Sequence, residues 1–231
     1  MPVREAVQRL DGTSPDNTAP RYCVQRPDFT AFEKRLLINK VLLIDFGQAF
    51  RFEEPPLRIA TPAQYSAPEV LYRRPLSPAI DKWALGCTIF ELCSGYSLFK
   101  MIFNPRIDVM KDMVSVLGKP PDDMWEEWEG RTKYFEPDGT PKEPVGRSIP
   151  VIPFSLRRRV YKIGQKAPCY TDPAAAHDDE NVPTSGRLAE LGDILQGLIR
   201  YDTEARHDLE TAHAHPLFHD INTEASTEVK L

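Results

Sequence analysis

Apolar residues along this chain fall into a few short blocks separated by polar and proline-rich stretches. The first block, Val41 to Ile44, runs into Asp45, Phe46 and Gly47. A short aliphatic run of this kind reads as a strand buried on both faces. With Arg35 to Ile38 on the other side of Asn39-Lys40, it predicts a small hairpin. From Ala79 to Ser94, "AIDKWALGCTIFELCS" is apolar on nearly every face, which predicts a helix in the centre of a core. Ile107, Met110, Val114 and Leu117 recur at helical spacing, and Gly118 with Pro120 supplies a stop. Leu188, Leu191, Ile194, Leu195, Leu198 and Ile199 mark one face of another amphipathic helix, and a short helix is expected over residues 208–214.

The stretches between these blocks set the expected organisation. Residues 1–34 read as an irregular leader or linker, 35–218 as the folded body and 219–231 as a tail. Residues 48–66 lack clear periodicity and read as a loop. Residues 129–186 are rich in proline and show no helical pattern, so they read as an insertion. The expected fold is mainly α, a helical body with one short β-hairpin near its start. No internal repeat is visible.

Composition narrows the classes. A formal charge of −5 argues against a general nucleic-acid binder, which is normally basic. Cys23, Cys87, Cys93 and Cys169 include no C-x-x-C pair, so neither a zinc ribbon nor a redox pair is suggested, and reduced thiols of an intracellular protein (cytoplasm or nucleus) are expected. No signal-peptide core and no span of about 18 apolar residues is present, so neither secretion nor membrane insertion is expected.

Asp45 then poses a question, because a carboxylate at the exit of a buried strand is costly to desolvate unless something pairs with it. Gly47, directly after Phe46, leaves the backbone free to turn sharply. Further along stand "APE" at 67–69, "DKWALG" at 81–86 and "RYDTEARHDLETAHAHPLF" at 200–218. With "DFG" at 45–47, these four motifs occur in the order of the C-terminal lobe of a eukaryotic protein kinase, which the chain resembles over about residues 35–218. "MVSVLGKPPDDMWEEW" resembles the insert of the cyclin-dependent-kinase-like (CMGC) group. "RYCVQRPDF", "LIDFGQAF" and "TPAQYSAPE" are similar to fungal SR-protein-kinase-like sequences.

The resemblance implies roles for single residues. Asp45 becomes the ligand of the magnesium ion that bridges the ATP phosphates. Phe46 is expected to pack into a hydrophobic spine. Glu69 and Arg206 match an ion pair that ties the activation segment to the helical body. Asp81 matches an aspartate that braces the catalytic loop, and a carboxylate near a helix start also suits the helix dipole. Thr61 and Tyr65 match the loop that receives the substrate, although either reads equally as a loop hydroxyl. Ser66 departs from the pattern. Much of the group has Arg immediately before "APE", and its absence puts proline-directed specificity in doubt.

Other parts of the kinase pattern do not match. The twelve glycines include no G-x-G, and upstream of Asp45 no Asp is followed five residues later by Asn. His177-Asp178-Asp179 reads as H-x-D but has Thr at 184 and lies downstream of Asp45. The chain is therefore expected to be inactive alone and not to hold ATP and Mg²⁺. Two explanations stand, a truncated serine/threonine kinase or a non-catalytic, pseudokinase-like interaction module.

Three charged groups remain. Asp122, Asp123, Glu126 and Glu127 lie beside Trp125 and Trp128, and either dock arginine-rich protein substrates (Arg-Ser-rich, by the resemblance) or form a solvated helix face. His207, His213, His215 and His219 crowd the end of the chain, where the family places a packing and capping His-Pro rather than a metal site. Arg157-Arg158-Arg159 is too short a basic run to read as nuclear targeting.

Overall fold

The computed structural model describes residues 7–9, 22–24, 42–144, 150–164 and 185–219. The chain divides into two units, Met1–Phe46 and Gly47–Leu231.

In the first unit, β1 (Val7–Arg9) pairs antiparallel with β2 (Tyr22–Val24), in the register Val7 with Val24, Gln8 with Cys23 and Arg9 with Tyr22. This pair lies within the stretch expected to be irregular. It is carried by short runs of Val, Tyr and Cys, too brief to stand out as periodicity. The first arm of the predicted hairpin, Arg35 to Ile38, and Val41 lie outside the described residues. Its second arm is corrected: Leu42, Leu43 and Ile44 are exposed and form no strand. An apolar run becomes a buried strand only when its backbone groups find a partner, and among the described residues none pairs with these.

The second unit is helical among its described residues. Its elements are α1 (Pro68–Leu71), α2 (Ala79–Ser94), α3 (Pro105–Leu117), α4 (Asp122–Glu127), α5 (Leu156–Tyr161), α6 (Arg187–Leu198) and α7 (Leu209–His213). The all-round apolar α2 lies in the middle of the core and packs against α6. Trp83 and Phe90 of α2 are buried, and the Trp83 ring stacks on Phe99 at 5.4 Å. Gly86 lets α2 and α6 approach closely, since a Cβ there would meet Ile199 Cδ1 at 2.7 Å. The helix ends on Gly95 at φ 79°, the left-handed conformation that glycine adopts without penalty. Asn104 caps α3 by accepting from the Ile107 N–H, and Asp208 caps α7 by accepting from the Thr211 N–H.

Part of the expected insertion is folded structure. Trp125, Trp128 and Phe135 form an aromatic knot, with Trp125 and Phe135 at 5.7 Å, and it carries the turn that closes on Pro141. Downstream, α5 packs against α6. Both Arg158 and Arg159 are buried there, so two of the three consecutive arginines offer no exposed basic stretch. Arg159 forks onto Asp112 of α3 at 2.8 and 2.7 Å and also donates to the Leu98 carbonyl. That non-local partner explains how a basic residue enters a core. The rest of the insertion (145–149 and 165–184, with Cys169 and His177 to Asp179) and the tail from 220 lie outside the described residues. No helix among the described residues is long and apolar enough to cross a membrane.

Candidate functional site

The segment from Gly47 to Tyr72 is held onto the helical body by a short series of polar contacts. Gln48 Oε1 accepts from the Ala60 N–H at 2.8 Å and closes the loop between them. A 3-10 turn follows at Ala63–Tyr65. Beside it the buried Ser66 hydroxyl lies 3.2 Å from the Thr61 carbonyl and 3.1 Å from that of Pro62, so its proton braces the turn from behind. Tyr65 donates its hydroxyl to Glu91 Oε2 of α2 at 2.6 Å. This bond, then burial, pushes the phenol up to about 12.

The segment ends in α1, whose first turn carries Glu69. Its carboxylate receives a two-pronged bond from Arg206, with Nη1 to Oε1 at 2.6 Å and Nη2 to Oε2 at 2.8 Å. Both residues are 3 % exposed. Arg206 also donates from Nη1 to the Ala79 carbonyl and from Nε to the Arg200 carbonyl, and lies 5.2 Å over the Trp83 ring. A buried ion pair is stable only when its remaining hydrogen-bonding capacity is met, and these two carbonyls meet it. One guanidinium thus joins the segment, the start of α2 and the turn after α6.

The protein kinase domain matches this chain over residues 34–218, a span that contains the segment, the paired Glu69 and Arg206 and all seven helices. The chain belongs to the protein kinase domain family. Its similar proteins include the serine/threonine-protein kinase AFC1 of Arabidopsis thaliana, 31 % identical over 181 residues, which are 78 % of this chain and 35 % of that protein. The dual specificity protein kinase CLK4 of Homo sapiens is 26 % identical over 189 residues, 80 % of this chain and 34 % of that protein. The probable serine/threonine-protein kinase dyrk2 of Dictyostelium discoideum is 32 % identical over 127 residues, 55 % of this chain and 13 % of that protein. These relatives are CMGC-type kinases, and this kinase-domain chain spans about a third of the length of the first two.

Within this kinase domain, Asp45 is exposed and adopts φ 65°, a left-handed conformation that Asp tolerates better than most residues. Phe46 was expected in a hydrophobic spine and is instead 68 % exposed, at the start of a 3-10 turn over Phe46–Gln48. No apolar neighbour among the described residues covers its ring. Gly47 is exposed, and Thr61 is half-buried with its carbonyl facing Ser66. Asp81 stands exposed in the first turn of α2, a position that suits a carboxylate at a helix start.

Protein kinases generally use ATP and magnesium, and magnesium asks for several hard oxygen ligands in near-octahedral geometry. Asp45 offers one carboxylate. Among the described residues no three His, Cys, Asp or Glu side chains gather as a metal site. At a nucleotide, magnesium takes one or two carboxylates with phosphate oxygens and waters for the rest, so Asp45 fits one protein ligand of such a centre and does not complete it alone. At the end of the chain, the His215 ring accepts from the Leu217 N–H and the His219 ring bonds the Ala214 carbonyl, which are capping contacts.

The four acids expected as a docking surface already have partners within the chain. Lys119 reaches Asp122 at 2.7 Å, Arg74 bridges Asp123 and Glu127, and Arg131 binds Glu126. These are surface pairs on exposed carboxylates, so they lower the net charge of the patch without closing it. Sequence reasoning missed the anchors Gln48 and Glu91 and the bracing part played by Ser66.

Proposed function

We propose that this chain supplies the substrate-side, C-terminal lobe of a protein serine/threonine kinase, whose parent reaction moves the γ-phosphate of ATP to a Ser or Thr hydroxyl of a protein. The observation that carries this reading is the buried Glu69–Arg206 fork, which fastens the activation segment to the helical body. The segment's task in this reading is positioning. Tyr65 fixes the loop to α2, Ser66 braces its turn and Glu69 holds it through Arg206, so that a substrate peptide meets a formed surface. Family membership and the CMGC-type relatives support the reaction class.

By these residues alone the chain does not transfer phosphate. The 231 residues contain no G-x-G loop and, ahead of Asp45, no Asp with Asn five residues on. Both a base and a second metal ligand are needed for in-line transfer. The same gap fits a second reading, a non-catalytic interaction module, and the full-length transcript separates the two. A Gly-rich loop, a strand lysine and an H-x-D-x-x-x-x-N motif in the same reading frame belong only to the first. An Arg-Ser-rich substrate is the narrower version of the first reading, and the paired acids of α4 work against it. The intracellular setting fits the free thiols of Cys87 and Cys93.

The direct test is the thermal unfolding of the purified chain with and without ATP and MgCl₂. No shift is expected. A saturable shift, or phosphorylation of a protein that disappears in Asp45→Asn, would sink the proposal that these residues lack a working nucleotide site.

A further inference from the structure

Three successive apolar side chains stand in water on the loop between α2 and α3. Met101, Ile102 and Phe103 are 47, 53 and 84 % exposed. Contiguous apolar side chains exposed on a folded surface are where a partner can dock.

The loop is held in place rather than loose. Leu98 and Phe99, just before it, are buried, and the Lys100 N–H donates to Asp112 Oδ2 at 2.9 Å. On the far side one carboxylate oxygen, Asp108 Oδ2, accepts from the N–H groups of Ile102, Phe103 and Asn104 at 3.0, 2.7 and 2.9 Å. Burial alone would raise the Asp108 carboxyl, but these three donors outweigh it and hold it below the usual carboxylate range. A preformed loop gives up little conformational entropy when a partner arrives.

Asp108 and Asp112 beside the loop are taken up by its N–H groups and by Arg159, and the two arginines at its edge are both positive. Arg106 lies three residues beyond Phe103, exposed, in the first turn of α3. Arg73 is exposed just past the end of α1, which packs against α3. Its charge acts on Arg106, whose guanidinium is lowered first by burial and then by Arg73. Among the described residues no carboxylate forms a salt bridge with either, whereas the adjacent Arg74 takes both Asp123 and Glu127. Two neighbouring guanidinium groups without an acid repel each other until an anion comes between them.

We propose that the 101–103 loop, with Arg106 and Arg73 at its edge, docks a protein segment in which apolar side chains alternate with carboxylates. The apolar residues cover Met101, Ile102 and Phe103, and the carboxylates take the forked donors of the two arginines. Charge complementarity selects this partner over an Arg-Ser-rich peptide, which the same arginines repel. The surface lies outside the phosphate-transfer machinery, so its occupancy does not depend on the kinase reading.

The test is fluorescence anisotropy on the full 231-residue chain, with a labelled peptide of Leu-Phe-Asp-Glu repeats. One control peptide carries Lys for each acid, another Ser for each apolar residue. Saturable binding of the acidic apolar peptide alone is expected. Phe103→Ser weakens it by about ten-fold. The pair Arg73→Glu with Arg106→Glu weakens it at least as much and transfers binding to the lysine peptide, a gain that an unfolded variant cannot show. Should that pair unfold by circular dichroism, the milder Arg73→Gln with Arg106→Gln takes its place, with weaker binding expected. Equal binding of the lysine peptide, or unchanged affinity in the charge-altered variants, overturns the proposal. So does a dimer in sedimentation that Phe103→Ser abolishes while no peptide binds, because a second copy then covers the loop.

Discussion

Residues 47–60 and 61–72 are consecutive stretches of one segment, yet they treat their apolar side chains differently. In the first, Phe52 and Leu57 are exposed, and only Phe50 and Ile59, next to the Gln48–Ala60 tie, pack partly buried against the core. In the second, Ala67, Leu71 and Tyr72 join the core. Hydrophobicity does not separate the two, but anchoring does. The second stretch is fixed by Ser66 to its own turn, by Tyr65 to α2 and by Glu69 to Arg206. Apart from the Gln48 contact to its neighbour Gly47, the first has one described side-chain tie, Gln48 to the Ala60 N–H, with a backbone turn at Arg51–Glu54. Fixing a residue's backbone costs about 1–2 kcal/mol, so a stretch with one tie gains little by folding its apolar groups inward. Polar anchors decide which apolar residues can reach the core.

The largest expected effect comes from breaking the strongest anchor. Glu69→Gln keeps the shape of the side chain but leaves the Arg206 guanidinium buried without a counter-charge. A loss of about 3–5 kcal/mol in urea unfolding is expected. Arg206→Met added to it should cost much less than the two changes summed, because the stranded charge is gone. Limited proteolysis sharpens the contrast. Of the two stretches, 47–60 is cut first in the native chain, and Glu69→Gln extends cutting into 61–72. A loss below about 1 kcal/mol, or an unchanged cleavage pattern, would mean that the fork is not what separates the two stretches.

How far the sequence discloses this follows from where each signal resides. A helix such as α2 is written locally: its apolar pattern, its glycine stop and its bounds all lie within Ala79–Gly95. The same is true of α3 and α6, each with four or more apolar residues at helical spacing. Short α5 fails that test, since Arg157, Arg158 and Arg159 fill half of it. What buries Arg159 is Asp112, 47 residues away. Leu42 to Ile44 show the converse, because a strong local pattern does not supply a partner strand, and among the described residues they have none. At the site, Glu69 and Arg206 were legible only through the motifs around them. Tyr65 with Glu91, and Ser66 with the Thr61 carbonyl, were not, because hydroxyl partners leave no periodic trace.

A smaller break is Tyr65→Phe, which removes the bond to Glu91 and leaves the ring. A hydrogen bond to a charged group in a part-exposed place contributes about 1.5 kcal/mol. The variant also predicts a pH signature. Folding raises the Tyr65 phenol from its ordinary 10 to about 12, so the folded state holds this proton more tightly. The contribution is complete below pH 10 and is lost as pH rises towards about 12. Burial raises Tyr72 to about 12 and Tyr201 well above its ordinary value, and their part persists in the variant. The fall in stability between pH 10 and 12 should therefore be shallower in Tyr65→Phe, but not absent. Superimposable pH profiles would show that Glu91 does not anchor the turn.

The smallest effect has the opposite sign, and it tests the end of the anchored stretch. After α1 the Arg74 N–H reaches back to the Glu69 carbonyl at 2.8 Å and the Arg73 N–H to the Val70 carbonyl at 3.2 Å. These two bonds put Arg73 at φ 58°, a place that usually belongs to glycine at the end of a helix. Replacing it should relieve left-handed strain, so Arg73→Gly is expected to raise stability by about 0.5–1 kcal/mol. The same change removes one of the two arginines at the edge of the 101–103 loop, so binding of the acidic apolar peptide should fall while the fold becomes firmer. That divergence separates a residue held for contact from one held for structure. If Arg73→Gly lowers both together, the side chain contributes to packing that outweighs its strain, and the helix end belongs among the anchors.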